Sequence, residues 1–199
     1  MRTNIVIVLL VFWFGASSCA EDIVVYDTVE YLGNPFSKIY KGGEDIYSRN
    51  IWDMQLFDGR LFFGAGNSSN IGPSVNSGPV QVISYEPGLN KFDIEGVIDD
   101  EQIDLYKVLS NKLYIPGHDA TQNWKWGNYY LRNDQGKWDK FRNVPGALHV
   151  YDMVLRGKNF YTALGIKKYA AVAVSADNGT TWQVERLGRG RIYGFMPVG

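Results

Sequence analysis

The chain has 199 residues, 45% of them hydrophobic and 21% charged, enough apolar material for one globular domain and no compositional sign of disorder. A formal net charge of -1 gives no electrostatic case for nucleic acid or an anionic membrane surface, which are gripped mainly by clustered Lys and Arg. The short basic run RLGRGR near the C-terminus is the one exception, and three arginines in a surface turn are ordinarily solvated.

The first element is an export signal. Met1-Arg2 opens an apolar run from Ile5 to Gly15, followed by small residues. Eleven apolar residues are too short to cross a bilayer, so the segment reads as a signal peptide over residues 1–19. The single cysteine, Cys19, ends this segment, and ASSC resembles a bacterial lipobox, with Ala16 where Leu is usual. That resemblance implies cleavage before Cys19 and acylation of its sulfur. The alternative is cleavage after Ala20. The expected location is therefore periplasm, cell surface or medium of a bacterium, with a membrane contact only through the lipid. The mature chain has no cysteine pair and depends on its core for stability.

From residue 20 onward the sequence reads as one repeat domain. IWDMQLFDGRLFFGAG from Ile51, QIDLYKVLSNKLYIPG from Gln102 and VYDMVLRGKNFYTALG from Val150 each give an apolar strand, a short polar turn and a second strand. Leu61, Leu113 and Phe160 recur at intervals of 52 and 47 residues. Two more strands follow in each case: GPVQVISYEPGLNKFDIEGV, GNYYLRNDQGKWDKFRNV and YAAVAVSADNGTTWQVERL. Alternating apolar and β-branched or aromatic residues broken by Gly, Asn and Asp predict antiparallel strands, with no helical period after the signal. The expected fold class is all-β, a β-propeller of four-stranded antiparallel blades with repeats near 50–98, 101–144 and 147–187. Arg191–Gly199 reads as the first strand of a fourth repeat, so the expectation is the N-terminal part of a longer propeller. In a complete ring, VVYDTVEYLGNPFSKIYKGG would supply a strand that closes the last blade.

SADNGTTW in the third repeat, with Ser175, Asp177, Gly179 and Trp182, matches the pattern S-x-D-x-G-x-x-W and resembles the Asp box of sialidase-like propellers. In physical terms it is a hairpin clasp, with Asp177 accepting from turn amides, Gly179 supplying positive φ and Trp182 packing beneath. NDQGKW and YEPGLNKF are weaker versions in the other repeats. Residues 51–165 are also similar to a family of secreted bacterial propeller proteins, through Tyr114–Asn128 and Gly146–Gly165. Neither resemblance brings an activity with it, since Asp boxes occur in hydrolases and in non-enzymatic propellers.

In a meander the start of the first strand, the end of the second and the start of the third share one face. The long connections Gly66–Pro79 and Gly117–Trp126 lie there, and the Asp box lies opposite. Exposed Trp beside Asp and Asn suits sugar recognition, which makes Asp119, Trp124, Trp126, Asn128, His149 and Asp152 the candidate ligand contacts, with Asn67 and Asn70 outside them. Each has a structural alternative: Trp124 and Trp126 packing between blades, His149 bonded to a neighbouring blade, and Asp53, Asp104 and Asp152 holding backbone amides.

With two histidines, His118 and His149, and no mature thiol, neither a metal nor a cofactor is expected. The leading expectation is a non-enzymatic exported propeller that binds a glycan or another extracellular ligand. Its rivals are a sialidase-like glycoside hydrolase, which lacks the early Arg-Ile-Pro segment here, and a scaffold for protein partners.

Overall fold

Asp58 and Gly59, and again Ser110 and Asn111, take positive φ in succession, the conformation of a two-residue turn whose twist matches a β-hairpin. These turns join β1 (Asp53–Phe57) to β2 (Arg60–Gly64) and β6 (Lys107–Leu109) to β7 (Lys112–Pro116). A computed structural model of the chain describes residues 29–36, 51–66, 79–120, 123 and 125–196. The signal segment, Cys19, Asn67, Asn70 and Trp124 lie outside the described residues. So does the side chain of Asp119.

Three antiparallel sheets follow one another within Gly33–Gly199. The first has the order β1-β2-β3-β4, with β3 at Val80–Glu86 and β4 at Lys91–Ile98. The second runs β6-β7-β9-β10, with β9 at Trp126–Arg132 and β10 at Trp138–Pro145. The third runs β11-β12-β13-β14, at His149–Arg156, Asn159–Ile166, Tyr169–Ser175 and Gln183–Arg189. The period-2 pattern sends neighbouring side chains to opposite neighbours. Leu113, Ile115 and Tyr130 of the second sheet join Phe62, Val80, Val82 and Ile98 of the first. Tyr114, Tyr129 and Val144 join Val150, Met153, Phe160 and Leu164 of the third. Each such side chain contributes about 1.5–3 kcal/mol by leaving water. Three meanders packed face to face in chain order make an all-β fold consistent with an incomplete β-propeller.

The third sheet departs from the expected four strands. Two short strands, β5 (Asp100–Gln102) and β8 (His118–Ala120), extend its inner edge to six. The sequence reading had Gln102 opening the first strand of the second repeat and His118 in a loop. The structure pairs Gln102 with His118 and His118 with His149 instead. The reason lies in polarity: Asp100, Glu101 and Gln102 are too polar for an apolar blade strand, but as a ribbon they satisfy their backbone groups against β8.

Adjacent repeats are also joined by a recurring carboxylate clasp. Asp53 on β1 accepts the backbone N–H of Tyr106 at 2.6 Å, just ahead of β6. Asp152 on β11 accepts the N–H of Phe195 at 2.9 Å. Of Arg191–Gly199, expected as the first strand of a fourth repeat, the described residues 191–196 form no strand, yet Asp152 holds them as Asp53 holds the approach to the second sheet.

Candidate functional site

The pairings Asp53 with Gly64, Lys107 with Tyr114 and His149 with Gly165 put strand starts and ends at one face, called here the loop face. The ribbon of β5 and β8 crosses it. Gly66 bridges to Gln102, and Ile103 N–H donates to Ala65 O at 2.8 Å, so the ribbon is tied to the first sheet as well as to the third.

Asp100, the first residue of the ribbon strand β5, is fully buried and collects donors from the second sheet and from β8. Asn128 Nδ2 donates to Oδ1 at 2.9 Å and to Oδ2 at 3.0 Å, the Tyr130 hydroxyl to Oδ1 at 2.9 Å and the His118 amide to Oδ2 at 2.6 Å. Burial pushes the Asp100 carboxyl up, and the donors from Asn128, Tyr130 and His118 oppose it. Burial together with the nearby Asp100 charge pushes the Tyr130 hydroxyl far above its ordinary value. Gly117 makes the close approach possible, since a Cβ there would stand 2.2 Å from Asn128 O.

Above Asp100 an aromatic column runs inward to outward. His118 lies tilted against His149 at 4.6 Å, His149 stacks on Tyr151 at 4.9 Å, and Tyr151 lies tilted against Tyr193 at 4.7 Å. His118 Nδ1 lies 2.7 Å from Asp104 Oδ2, and its Nε2 lies 3.6 Å from Glu101 Oε1. Arg191 donates to the Tyr151 hydroxyl at 2.8 Å and lies over the same ring. Burial first, then the His118 and Arg191 neighbours, lower the His149 pKa to about 3, so its imidazole is neutral at ordinary pH. Burial raises the Tyr151 hydroxyl to about 12, against the pull of Arg191.

The candidate ligand contacts from the sequence therefore separate. Trp126 is 44% exposed at the rim of the loop face. Asn128, His149 and Asp152 are only 2%, 5% and 4% exposed. Asn128 holds Asp100, His149 sits inside the column, and Asp152 pairs with Lys107 Nζ at 2.9 Å while clasping Phe195. All three have inter-strand contacts and little surface, as the structural alternative for His149 and Asp152 has it. Period-2 alternation explains Asn128, which points with Trp126 and Tyr130 to one side of β9 but lies a step deeper. Sequence reasoning missed Asp100, Glu101, Tyr151, Arg191 and Tyr193. The acidic run Asp99–Glu101 was the available signal, being too polar for a blade strand.

Chemically, the loop face offers Asp104, Arg191, Tyr193 and Trp126 as accessible polar and aromatic groups, while the His118 ring lies largely buried between Asp104 and Glu101. The carboxyl with the raised pKa, Asp100, points from the ribbon into the protein and is fully buried. Among the described residues no group of three or more His, Cys, Asp or Glu is placed to hold a metal ion.

The turn after β13 lies on the opposite face. The Ser175 hydroxyl donates to Asp177 Oδ1 at 2.7 Å, Gly179 N–H donates to Ser175 Oγ at 2.8 Å, and Thr181 N–H donates to Asp177 Oδ1 at 2.9 Å. These donors, Thr181 foremost, lower the Asp177 pKa to about 2. Trp182 folds under the turn, its Nε1–H donating to Gly179 O at 3.1 Å. Tyr129 and Asn143 of the second sheet donate to the same carbonyl at 3.1 and 2.6 Å. The turn thus locks two sheets together, and its polar groups are consumed in doing so. In the second repeat Asn133 takes a comparable role, accepting from the amides of Gln135 and Lys137.

No family model matches the chain, and no curated protein is similar to it. Among solved structures it is similar to a glycoside hydrolase family 43 arabinoxylan arabinofuranohydrolase from Bacillus subtilis, solved in complex with cellotetraose. The identity is 9% and the TM-score 0.41, over 69% of this chain and 35% of that one. The chain thus spans about a third of that enzyme's length. At this level the likeness carries nothing about activity, and the fold rests on the strand order above.

Proposed function

We propose that the protein is an exported, non-enzymatic propeller that binds a glycan or a similar hydroxylated extracellular ligand on its loop face. The observation that carries this reading is the half-exposed indole of Trp126 at the entry to β9, on a rigid strand anchored two residues later by Asn128. An apolar ring exposed on the face that also carries Asp104, Arg191 and Tyr193 suits a sugar, which needs a flat platform with polar partners. The turn Ser175–Trp182 is read as an Asp box, a fold element of the sialidase-like kind with no part in binding. Export through the N-terminal signal, with Cys19 as the lipid attachment point, completes the proposal.

A glycan-array screen of the full chain, repeated with Trp126→Ala and Trp124→Ala, tests it. Hits that fall at least tenfold with Trp126→Ala support the reading. An empty array, or hits indifferent to both substitutions, would remove the loop face as a glycan site. Release of reducing sugar from any hit would instead favour the hydrolase.

A further inference from the structure

The turn face carries a cleft that the loop-face reading does not use. It has a volume of about 440 Å³ and lies where three turns of the first two sheets converge. Phe57 and Asp58 come from the β1–β2 turn, Asn111 and Lys112 from the β6–β7 turn, and Arg132, Asn133 and Asp134 from the β9–β10 turn. A volume of this size falls within the ~300–1,000 Å³ of small-molecule sites.

Its polar groups divide into those already engaged and those that are not. Asn133 is spent on its own turn and on Asp139. Arg132 is fixed in place, with Nε donating to Glu95 at 2.8 Å and its guanidinium 5.6 Å above the Phe62 ring, while among the described residues its two Nη atoms make no hydrogen bond. The side chains of Asp58, Asn111, Lys112 and Asp134 likewise make no hydrogen bond or ion pair to a described residue. Uncommitted donors and acceptors therefore face one space beside the half-buried Phe57 ring, with the Arg132 charge shared by Glu95, and Lys112 alongside Asp58 and Asp134 in the lining. Donors and acceptors are mixed there rather than sorted into a set for an ion of one sign. That mixture suits a neutral ligand whose groups both donate and accept, which is the chemistry of sugar hydroxyls.

We infer that this cleft is a second binding site, for a neutral saccharide of one or two rings, set on the face opposite Trp126. It stands independently of the loop-face proposal. Arg132 positions the ligand with its two Nη groups, Asp58 and Lys112 grip hydroxyls from the two flanking turns, and Phe57 supplies an apolar edge.

The test is NMR or calorimetric titration of the full chain with xylobiose, lactose, maltose and N-acetylglucosamine, with galacturonate and glucosamine as charged controls. Asp58→Asn keeps a residue that tolerates the turn's positive φ, and Lys112→Ala alters an exposed position, so both variants are expected to fold. At least one neutral sugar should bind saturably, weaken about tenfold with each variant, and be unaffected by Trp126→Ala. Absence of binding by every neutral sugar at tens of millimolar overturns the inference. So does binding indifferent to both cleft variants, or confined to a charged control. Binding lost with Trp126→Ala alone overturns the cleft and supports the loop face, whereas loss in the cleft variants alone does the reverse.

Discussion

Asn128 donates through one nitrogen to both oxygens of the buried Asp100, at 2.9 and 3.0 Å, and so ties β9 of the second sheet to a ribbon that belongs to the third. Both residues are almost wholly out of water. A carboxyl group there is tolerated because its oxygens are occupied by donors.

Removing the amide should therefore be expensive. Asn128→Ala is expected to destabilise the protein by about 1–3 kcal/mol in urea unfolding, because the buried Asp100 carboxyl loses two of its hydrogen bonds. Asp100→Ala with Asn128→Ala should cost less than the sum of the single changes, by about 1–3 kcal/mol. Additive costs would show that the two side chains act separately.

His149 sets a pH dependence. Its folded pKa of about 3 lies below its ordinary 6.5, so the unfolded chain takes up the proton first as the pH falls. Stability from this group is complete above pH 6.5 and declines below it, with a slope of at most about 1.4 kcal/mol per pH unit. His149→Phe keeps a ring in the column but cannot titrate. Denaturation midpoints between pH 4.5 and 7.5 should therefore fall less steeply toward acid in the variant than in the parent; equal slopes would exclude His149 as the source. Asp100, whose raised carboxyl has the opposite sign, is common to both proteins and cancels in the comparison.

Gly179 is held at φ +82°, and a Cβ there would stand 2.3 Å from the Tyr129 hydroxyl. Gly179→Ala is expected to cost about 2 kcal/mol or more, from backbone strain together with that clash. Adding Tyr129→Phe removes the clashing oxygen, so the double variant should recover part of the loss when thermal or urea midpoints are compared. No recovery would assign the whole cost to the backbone.

Much of the fold was legible because local chemistry dictates it. Asp58-Gly59 and Ser110-Asn111 demand hairpin turns, the alternation of Leu113, Tyr114 and Ile115 demands a strand buried on both sides, and the spacing of Ser175, Asp177, Gly179 and Trp182 demands the clasped turn. The candidate site was legible only in its outline. The face that carries Trp126 follows from strand direction alone, whereas the depth of Asn128, His149 and Asp152 beneath that face does not.

The sequence by itself thus determined the all-β class, the order of the meanders and which turns lie on which face, since periodicity and turn residues act over a few neighbours in the chain. Only the tertiary structure decided that Gln102 pairs with His118 and His118 with His149, that Asp100 is buried under Asn128 and Tyr130, and that Asp53 and Asp152 clasp the approach to the next segment. Those contacts join residues far apart along the chain. Whether a carboxylate, an imidazole or an amide meets water or another sheet is settled by which surfaces pack together, and no local pattern records it.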